Sequence, residues 1–300
     1  MSSTGACRFR GVCHVSGMLS FRTLAIALMV SAGLPSLARA AVIAHYDVYV
    51  GGVRALQMQA ALGMDEGSYS LQLTARTHGF AEWLLGWRSR VISTGLLERP
   101  ASARGAEDRA GVRPSRHSLE ALFRGSLRTV RLDWTGTTVS VSATPPIEED
   151  NRDPVPDALR VNAVDPLTAT VIALRAVAER QACQQDIPVF DGRRRFDAVL
   201  QTGTRPTLPA NSYSSFEGAA VHCTLRINRI AGYSRSENNF NRAEDRDRSI
   251  DIWFAPVATG AVPVPVRVEV ELSMGAIVAH LMRVETVDTV PPLPTGPLTR

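Results

Sequence analysis

Apolar and polar residues alternate with a period of two along most of the chain beyond residue 40. Such alternation is typical of β-strands that bury one face. Turn signals such as Gly51-Gly52 and Asp191-Gly192 separate the alternating runs and suit tight hairpin turns. The pattern therefore predicts an antiparallel meander. Its main runs are residues 46–50, 54–61, 71–73, 91–97, 130–134, 139–141, 196–201, 221–227, 250–254, 264–272 and 277–284.

One segment, DPLTATVIALRAVAERQ from residue 165 onwards, breaks this period. Asp165 and Pro166 are residue types preferred at a helix cap and in a first helical turn. Apolar residues then recur at spacings of three and four and form one stripe, namely Leu167, Val171, Leu174 and Val177. That stripe must rest against another element. We predict a mainly β fold (α+β), in which a curved antiparallel sheet or half-barrel of about ten strands packs on one main helix.

The first 40 residues have the pattern of a secretory signal. Arginines precede the apolar run of residues 24–34, which is followed by Ala38-Arg39-Ala40. The run is much shorter than the roughly 20 residues of a spanning helix. We expect cleavage after Ala40 and a soluble, exported, periplasmic protein. The expected organisation is a signal peptide over 1–40, a single β-rich domain over 41–290 and a disordered proline-rich tail over 291–300.

Export changes the charge balance. Four of the 33 basic residues lie in the presequence, whereas all 29 acidic residues follow it, so the mature chain has 29 of each. A chain without net charge is a poor candidate for binding nucleic acid, and we expect no nucleic-acid partner. Every basic residue is arginine. The absence of lysine excludes phosphate-binding loops of the GxxxxGK[ST] type, pyridoxal Schiff bases and serine-lysine dyads.

Only two cysteines, Cys183 and Cys223, follow residue 40. An oxidising compartment favours a disulfide between them, which would stabilise the fold by about 4 kcal/mol in the chain-entropy model. The alternatives are free thiols and a zinc site with His222 as a further ligand. Adjacent residues of a strand face opposite ways, so His222 and Cys223 do not easily meet at one ion. We therefore expect a disulfide and no metal.

A search for catalytic motifs finds no GxSxG, HExxH, GxGxxG or CxxC pattern. The five histidines beyond residue 40 stand singly, which is typical of surface or satisfied core residues. We predict no catalytic residue and no cofactor, and expect a non-catalytic role. A pair of carboxylates brought together from distant parts of the chain remains an alternative.

The segment GFAEWLLGWRSR from residue 79 concentrates aromatic and aliphatic bulk between glycines. One interpretation is a connection that folds over one end of the core. The other is an apolar flap at the mouth of a half-barrel, where it contacts a lipid-like ligand or the membrane surface. The candidate ligand-binding residues are Phe80, Trp83, Leu84 and Trp87.

Three arginines follow the Asp191-Gly192 turn, where side chains alternate along a predicted strand. At most two of them share a face. Arg193 and Arg195 are therefore candidates for an anion-binding site. The alternative is a solvated strand end whose arginines pair with nearby acids.

The order of several segments resembles an exported bacterial family known only as domain of unknown function 3108. Those segments are YDVYVGG from residue 46, RGSLRTVRL from 124, DPLTATVIALR from 165, CQQDIPVFDGRRRF from 183, RIAGY from 229, IDIWFAP from 250 and PVRVEVELSMGAIVAHL from 265. The resemblance implies a periplasmic β-rich domain, similar to the curved half-barrels of lipoprotein-carrier proteins. It implies no activity. The arginine-rich segment 99–116 departs from the family pattern, and its pairing stays open.

Together these features favour a binding or carrier module for a lipophilic or amphipathic envelope component, with possible peripheral membrane contact. One alternative is a cell-envelope hydrolase that uses a carboxylate pair. Another is an envelope scaffold that binds partners through an exposed strand edge. A carrier should have an apolar concavity without converging acids, an enzyme should have two carboxylates in a groove, and a scaffold should have a filled interior. The sequence leaves the ligand and the oligomeric state open.

Overall fold

The computed structural model describes residues 41–98, 111–149, 151–233, 249–257, 261–272, 275–294, 296 and 298. The predicted signal peptide of residues 1–40 lies outside the described residues, as does most of the arginine-rich segment. The structure contains one longer helix, α3 (Pro166–Arg180), and two short helices, α1 (Phe80–Leu85) and α2 (Asp157–Arg160). It also contains a 3-10 turn at Ile147–Glu149. Among the described residues, no helix has the length and apolar character needed to cross a membrane.

Most of the chain is β-structure. The strands are β1 (Ala41–Val50), β2 (Val53–Met64), β3 (Ser68–Thr77), β4 (Arg88–Leu97), β5 (Val112–Phe123), β6 (Ser126–Thr135), β7 (Thr138–Thr144), β8 (Gln185–Phe190), β9 (Arg195–Thr202), β10 (Thr207–Leu208), β11 (Gly218–Ala219), β12 (Val221–Ala231), β13 (Ser249–Ala255), β14 (Val264–Leu272) and β15 (Gly275–Val287). Thirteen of them form one sheet in the order β7-β6-β5-β4-β3-β2-β1-β15-β14-β13-β12-β9-β8. Strands β10 and β11 pair separately.

The predicted fold class is confirmed, because the sheet is antiparallel throughout and one main helix packs on it. The sheet is larger than the expected ten strands. Strand β5 begins inside the segment whose pairing the sequence left open, and it pairs with β4 and β6. The sheet is not closed, since β7 and β8 are its two edges. The β8 edge is partly covered by the chain before α3, where Val164 donates to Pro188 and accepts from Phe190.

Helix α3 begins as its sequence predicts. The Asp165 carboxylate caps it by accepting hydrogen bonds from the backbone N–H groups of Leu167 and Thr168, and Pro166 occupies the first turn. The helix ends at Gln181, whose left-handed conformation is typical of a helix C-terminus. Its apolar side chains are buried in a core shared with residues of β2 to β5 on one side and of β8, β9, β12 and β13 on the other.

Helix α3 also reveals the curvature of the sheet. Strands β5 and β8 lie far apart in the strand order, yet both pack directly on α3. The sheet therefore curves around the helix. We call the face turned towards α3 the inner face; it carries Leu71 of β3 and Val91 of β4, which belong to the same core as the helix.

The expected disulfide is present between Cys183 and Cys223, whose Cα atoms are 6.2 Å apart. Both residues are buried, and the bond links the segment that follows α3 to β12. A zinc site at these cysteines is thereby excluded in this oxidised form. The third ligand considered for zinc, His222, instead bonds Asp251 at 2.8 Å and stacks on Trp253.

The predicted turn at Asp191-Gly192 joins β8 to β9. The Asp191 carboxylate accepts hydrogen bonds from the backbone N–H groups of Arg193 and Arg194 at 2.9 and 2.7 Å. Gly192 has a φ of 93°, and a Cβ atom there would lie 2.3 Å from Cγ1 of Val130 on β6. Glycine is therefore required for both conformation and space. The turn also contains Arg193 and Arg194, which the sequence had placed on the strand; only Arg195 begins β9.

Candidate functional site

An apolar cavity of about 160 Å³ opens between α3 and the inner face of the sheet. The central strands β1, β2, β3, β14 and β15 form its wall, and α3 forms its other side. The strand residues that line it are Val42, Ala44, Tyr46, Met58, Ala60, Leu62, Leu71, Leu73, Val264, Pro265, Val268 and Ala279, and the helix residues are Leu167, Thr170 and Leu174. We call this space the inner cavity.

A second apolar space of about 460 Å³, the outer cleft, lies at one end of the strands. Its lining residues are Val50, Ala55, Leu56, Thr77, Ala81, Leu85, Trp87, Ala121, Phe123 and Arg128. Leu56 lines the outer cleft and Met58 lines the inner cavity, and these residues point to the same face of β2. Two residues of a strand span about 7 Å. The two spaces therefore succeed one another along the inner face, and together we call them the groove.

The groove is apolar along its length. Among the described residues that line either section, none carries a carboxylate. Burial raises the pKa of the Tyr46 hydroxyl well above its ordinary value, so this group is neutral at physiological pH. Within the described lining, the charged side chain is that of Arg128, which is exposed and belongs to the outer cleft. Such a surface suits a hydrocarbon group.

Helix α1 forms part of the wall of the outer cleft, and its Glu82 fixes it to the sheet. The Glu82 carboxylate accepts hydrogen bonds from the Thr77 hydroxyl at 2.6 Å and from the Arg88 guanidinium at 3.0 Å. The hydrogen bond from Thr77, followed by that from Arg88, lowers the pKa of Glu82. The glycines at both ends of the helix, Gly79 and Gly86, have positive φ angles. The segment is thus a short helix with a defined orientation.

The four predicted ligand-binding residues divide into two groups. Trp87 lines the outer cleft. Phe80, Trp83 and Leu84 point away from it and are 71, 79 and 49% exposed. The helical period explains the division, because positions 80, 83 and 84 share one face while Ala81 and Leu85 lie on the other and line the cleft. The sequence therefore located the segment but not the face that lines the groove.

The two predicted anion-binding arginines bond to groups of the protein itself. The Arg193 guanidinium donates to the carbonyl of Pro145 at 2.7 Å. The Arg195 guanidinium donates to the carbonyl of Leu159 and to the Asp197 carboxylate at 3.0 and 2.7 Å. These contacts join the β8–β9 turn to the chain between β7 and α3. An anion-binding role for these arginines stays a prediction.

A buried polar cluster, which the sequence did not reveal, surrounds the N-terminus of α3. Ser93 of β4 donates to the Asp165 carboxylate at 2.5 Å, and His117 Nδ1 of β5 lies 3.1 Å from the same oxygen. Thr168 donates to the other carboxylate oxygen, and the Tyr69 hydroxyl lies 2.6 Å from that of Thr168. All five side chains are buried. Their one sequence signal is that Ser93 and His117 interrupt the apolar inner faces of β4 and β5.

Although it contains serine, histidine and aspartate, the cluster lacks the geometry of a hydrolytic triad. In a triad, one ring nitrogen of histidine contacts the serine and the other contacts the aspartate. Here Nδ1 of His117 faces both, at 2.8 Å from the Ser93 hydroxyl and 3.1 Å from Asp165. The group is also closed to substrate by burial. The cluster therefore anchors the helix to the sheet.

Electrostatics agree with an anchoring role. Burial alone would raise the pKa of Asp165, but the hydrogen bond and charge of His117, with the hydroxyls of Ser93 and Thr168, outweigh it and hold that pKa below its usual value. Asp165 is thus an ionised, hydrogen-bonded carboxylate in the native protein. Within the part of the chain that the structure describes, no group of three or more His, Cys, Asp or Glu residues is arranged to hold a metal ion.

Comparison with known proteins gives a family but no activity. The family described as protein of unknown function (DUF3108) matches residues 45–282. No curated protein matches the chain. A β-barrel-like protein of domain of unknown function DUF1849 from Brucella abortus is 11% identical, with a TM-score of 0.45 over 83% of this chain and 99% of that one. A hypothetical protein from Chlamydia trachomatis is 10% identical, with a TM-score of 0.28 over 84% of this chain and 93% of that one.

Proposed function

The chain belongs to the DUF3108 family, for which no function is known, and we propose from its groove that it binds the apolar part of an amphipathic envelope molecule and carries it. The observation on which the proposal rests is the groove itself. Its inner cavity and outer cleft follow one face of β2, and no carboxylate lines the described part of either. A carrier requires such a surface, whereas a hydrolase with a carboxylate pair requires acids that converge in a groove.

The dimensions of the two sections favour an elongated ligand. A cavity of about 150 Å³ accommodates benzene, so the inner cavity of about 160 Å³ accepts a short hydrocarbon segment. The outer cleft of about 460 Å³ falls in the range of roughly 300–1,000 Å³ that is common for small-molecule sites. An acyl or isoprenoid chain would place its end inside and its wider part in the cleft.

Two features support a periplasmic location for this carrier. The first 40 residues have the charge and hydropathy pattern of a secretory signal. The disulfide between Cys183 and Cys223 is buried and belongs to the core, and disulfides of this kind persist in oxidising compartments. We therefore place the proposed ligand among the lipophilic components of the cell envelope.

Displacement of an apolar dye tests the proposal. N-phenyl-1-naphthylamine fluoresces when it leaves water, and we expect the oxidised protein to enhance its fluorescence and dodecanoic acid to reverse the effect. Ala60 lines the inner cavity. Because a benzene ring fills a space of this size, Ala60→Phe should fill the cavity and weaken binding of the fatty acid by at least about tenfold, the change given by losing about two buried CH₂ groups.

Gln59→Phe is the matched control, because residue 59 adjoins Ala60 on β2 and points to the opposite face. This variant should bind the dye and the fatty acid as the unmodified protein does. Circular dichroism would establish that both variants remain folded. Equal affinity of Ala60→Phe and the unmodified protein for dodecanoic acid would contradict the proposed site, and so would failure of the unmodified protein to bind the dye.

A further inference from the structure

Large apolar side chains are exposed together at one end of the sheet. Because the strands are antiparallel and consecutive from β1 to β6, the connections β1–β2, β3–β4 and β5–β6 all lie at this end. We define the tip as five exposed apolar residues at these connections, namely Val53, Phe80, Trp83, Leu84 and Phe123. Trp83 and Val53 are 79 and 66% exposed. Soluble proteins seldom expose apolar residues in such a concentration without an interaction to explain it.

The three connections also lie close to one another in space. Residues from all three connections line the same outer cleft. They are Val50 beside the first connection, Ala81 and Leu85 of α1 in the second, and Phe123 of the third. The rings of Phe80 and Trp83 are 5.5 Å apart. The tip is therefore one surface at the rim of the groove, and Glu82 holds its helix in place from the side of the sheet.

Positive charge accompanies the apolar surface. Residues 50–54, 77–88 and 123–128 contain four arginines and one acidic residue, Glu82. Because Arg54 also pairs with Asp47 of β1 at 3.1 Å, the surplus at this end is two positive charges. The Arg124 guanidinium carbon lies 5.3 Å from the centre of the Phe123 ring. Proteins bind the headgroup region of an anionic bilayer by combining apolar side chains with adjacent cations. Tryptophan is favoured in this region because its ring is apolar and its N–H is polar.

We propose that the tip docks on an anionic phospholipid bilayer and brings the mouth of the groove to the membrane surface. Phe80, Trp83 and Leu84 enter the interfacial region, and Arg124 contacts lipid phosphates. The inference deepens the proposed function and rests on it for its purpose, because a carrier must meet the membrane that supplies or receives its ligand. Its evidence is separate, since these three apolar side chains point away from the groove.

Sedimentation with vesicles tests the docking. The oxidised protein should bind vesicles of phosphatidylethanolamine and phosphatidylglycerol and bind phosphatidylcholine vesicles more weakly. The double variant Phe80→Ser/Trp83→Ser should reduce the partition coefficient by about 10- to 100-fold, because each aromatic side chain transferred from water contributes about tenfold. Leu96→Ser is the matched control, since Leu96 is 51% exposed at the opposite end of β4, and it should bind as the unmodified protein does.

A second variant tests the charge. Arg124→Gln should lower binding to anionic vesicles about fivefold and leave binding to neutral vesicles unchanged, as expected for one arginine at a charged surface. Arg205→Gln, which changes an arginine after the distant end of β9, serves as the control. Binding to anionic vesicles should also weaken as salt is raised.

The outcomes separate docking from ligand binding. Docking is supported if the tip variant loses vesicle binding but still binds N-phenyl-1-naphthylamine and dodecanoic acid in solution. The docking proposal is overturned if the unmodified protein does not bind vesicles, or if the tip variant binds them as well as the unmodified protein does. This holds whether or not the protein binds N-phenyl-1-naphthylamine. Tip-dependent vesicle binding without dye binding would retain the docking surface and overturn the carrier function.

Discussion

Replacing Asp165 by alanine should destabilise the protein strongly, because this one carboxylate joins α3 to two strands. One of its oxygens accepts from the backbone N–H groups of Leu167 and Thr168 at 2.9 and 3.0 Å and from the Ser93 hydroxyl at 2.5 Å. The same oxygen lies 3.1 Å from His117 Nδ1. The carboxylate is fully buried, so water cannot replace it without rearrangement.

The expected magnitude follows from these contacts. Loss of a helix N-cap costs about 1 kcal/mol. Each buried donor that loses its acceptor costs about 1–3 kcal/mol more, and the Ser93 hydroxyl and the His117 ring are both buried. We therefore expect Asp165→Ala to lower the free energy of unfolding by about 3–7 kcal/mol. Ser93→Ala should cost about 1 kcal/mol.

Urea unfolding measures this effect. The midpoint should fall while the slope stays constant. Asp186→Ala is the matched control, because Asp186 is exposed on β8, and it should change stability by less than about 0.5 kcal/mol. If Asp165→Ala were no more destabilising than the control, the cluster would not anchor the helix and our account of α3 would be wrong.

The pH dependence has a definite sign. The pKa of Asp165 is lowered in the folded protein. Its stabilising contribution is therefore fully present above the unfolded-state pKa of about 3.9 and is lost as the pH falls through the lower folded-state pKa. The stability difference between the unmodified protein and Asp165→Asn should be constant near neutral pH and shrink below about pH 4.

Two further predictions concern the disulfide and the tryptophans. Thiol titration of the denatured chain from residue 41 onwards should find no free thiol, and two titratable thiols would contradict the disulfide. Cys183→Ala/Cys223→Ala should lower the free energy of unfolding by about 4 kcal/mol, since the bond closes a loop of sequence separation 40. Trp83→Ala should leave the melting temperature unchanged because Trp83 is exposed. Trp134→Ala should lower it by several degrees because Trp134 packs against a core cluster and donates to the carbonyl of Ala163. Equal shifts of the melting temperature in the two variants would refute the assignment of Trp83 to the surface and of Trp134 to the packed interior.

Much of the fold could be predicted from the sequence because its signals are local. A period of two and glycine-containing turns identify strands without knowledge of their partners. Asp165 and Pro166 identify the start of α3 in the same way. Strand β5 was missed because it follows a segment in which arginines obscure the alternation. The apolar stripe of α3 predicts that the sheet curves around the helix. The strand order that brings β5 and β8 together on this helix is a long-range property, which no local pattern shows.

The candidate site was less predictable, for a physical reason. Alternation along β2 shows that Leu56, Met58 and Ala60 share a face, but only the pairing of β2 with its neighbours decides what lies opposite them. The composition of residues 79–90 identified an aromatic segment. Only the orientation set by Glu82 determines that Trp87 lines the cleft while Trp83 faces outward. The Ser93 and His117 partners of Asp165 lie 72 and 48 residues away in sequence, beyond any local pattern.

The buried polar cluster and the disulfide together account for the persistence of an apolar space in the core. An empty apolar cavity costs stability, and a mobile apolar helix would tend to settle into it. Helix α3 is restrained at both ends and towards different halves of the sheet. Asp165 binds its start to β4 and β5, and Cys183 ties the segment after its end to β12. The helix is thereby held away from the inner faces of β1, β14 and β15, which leaves them available as a wall of the groove.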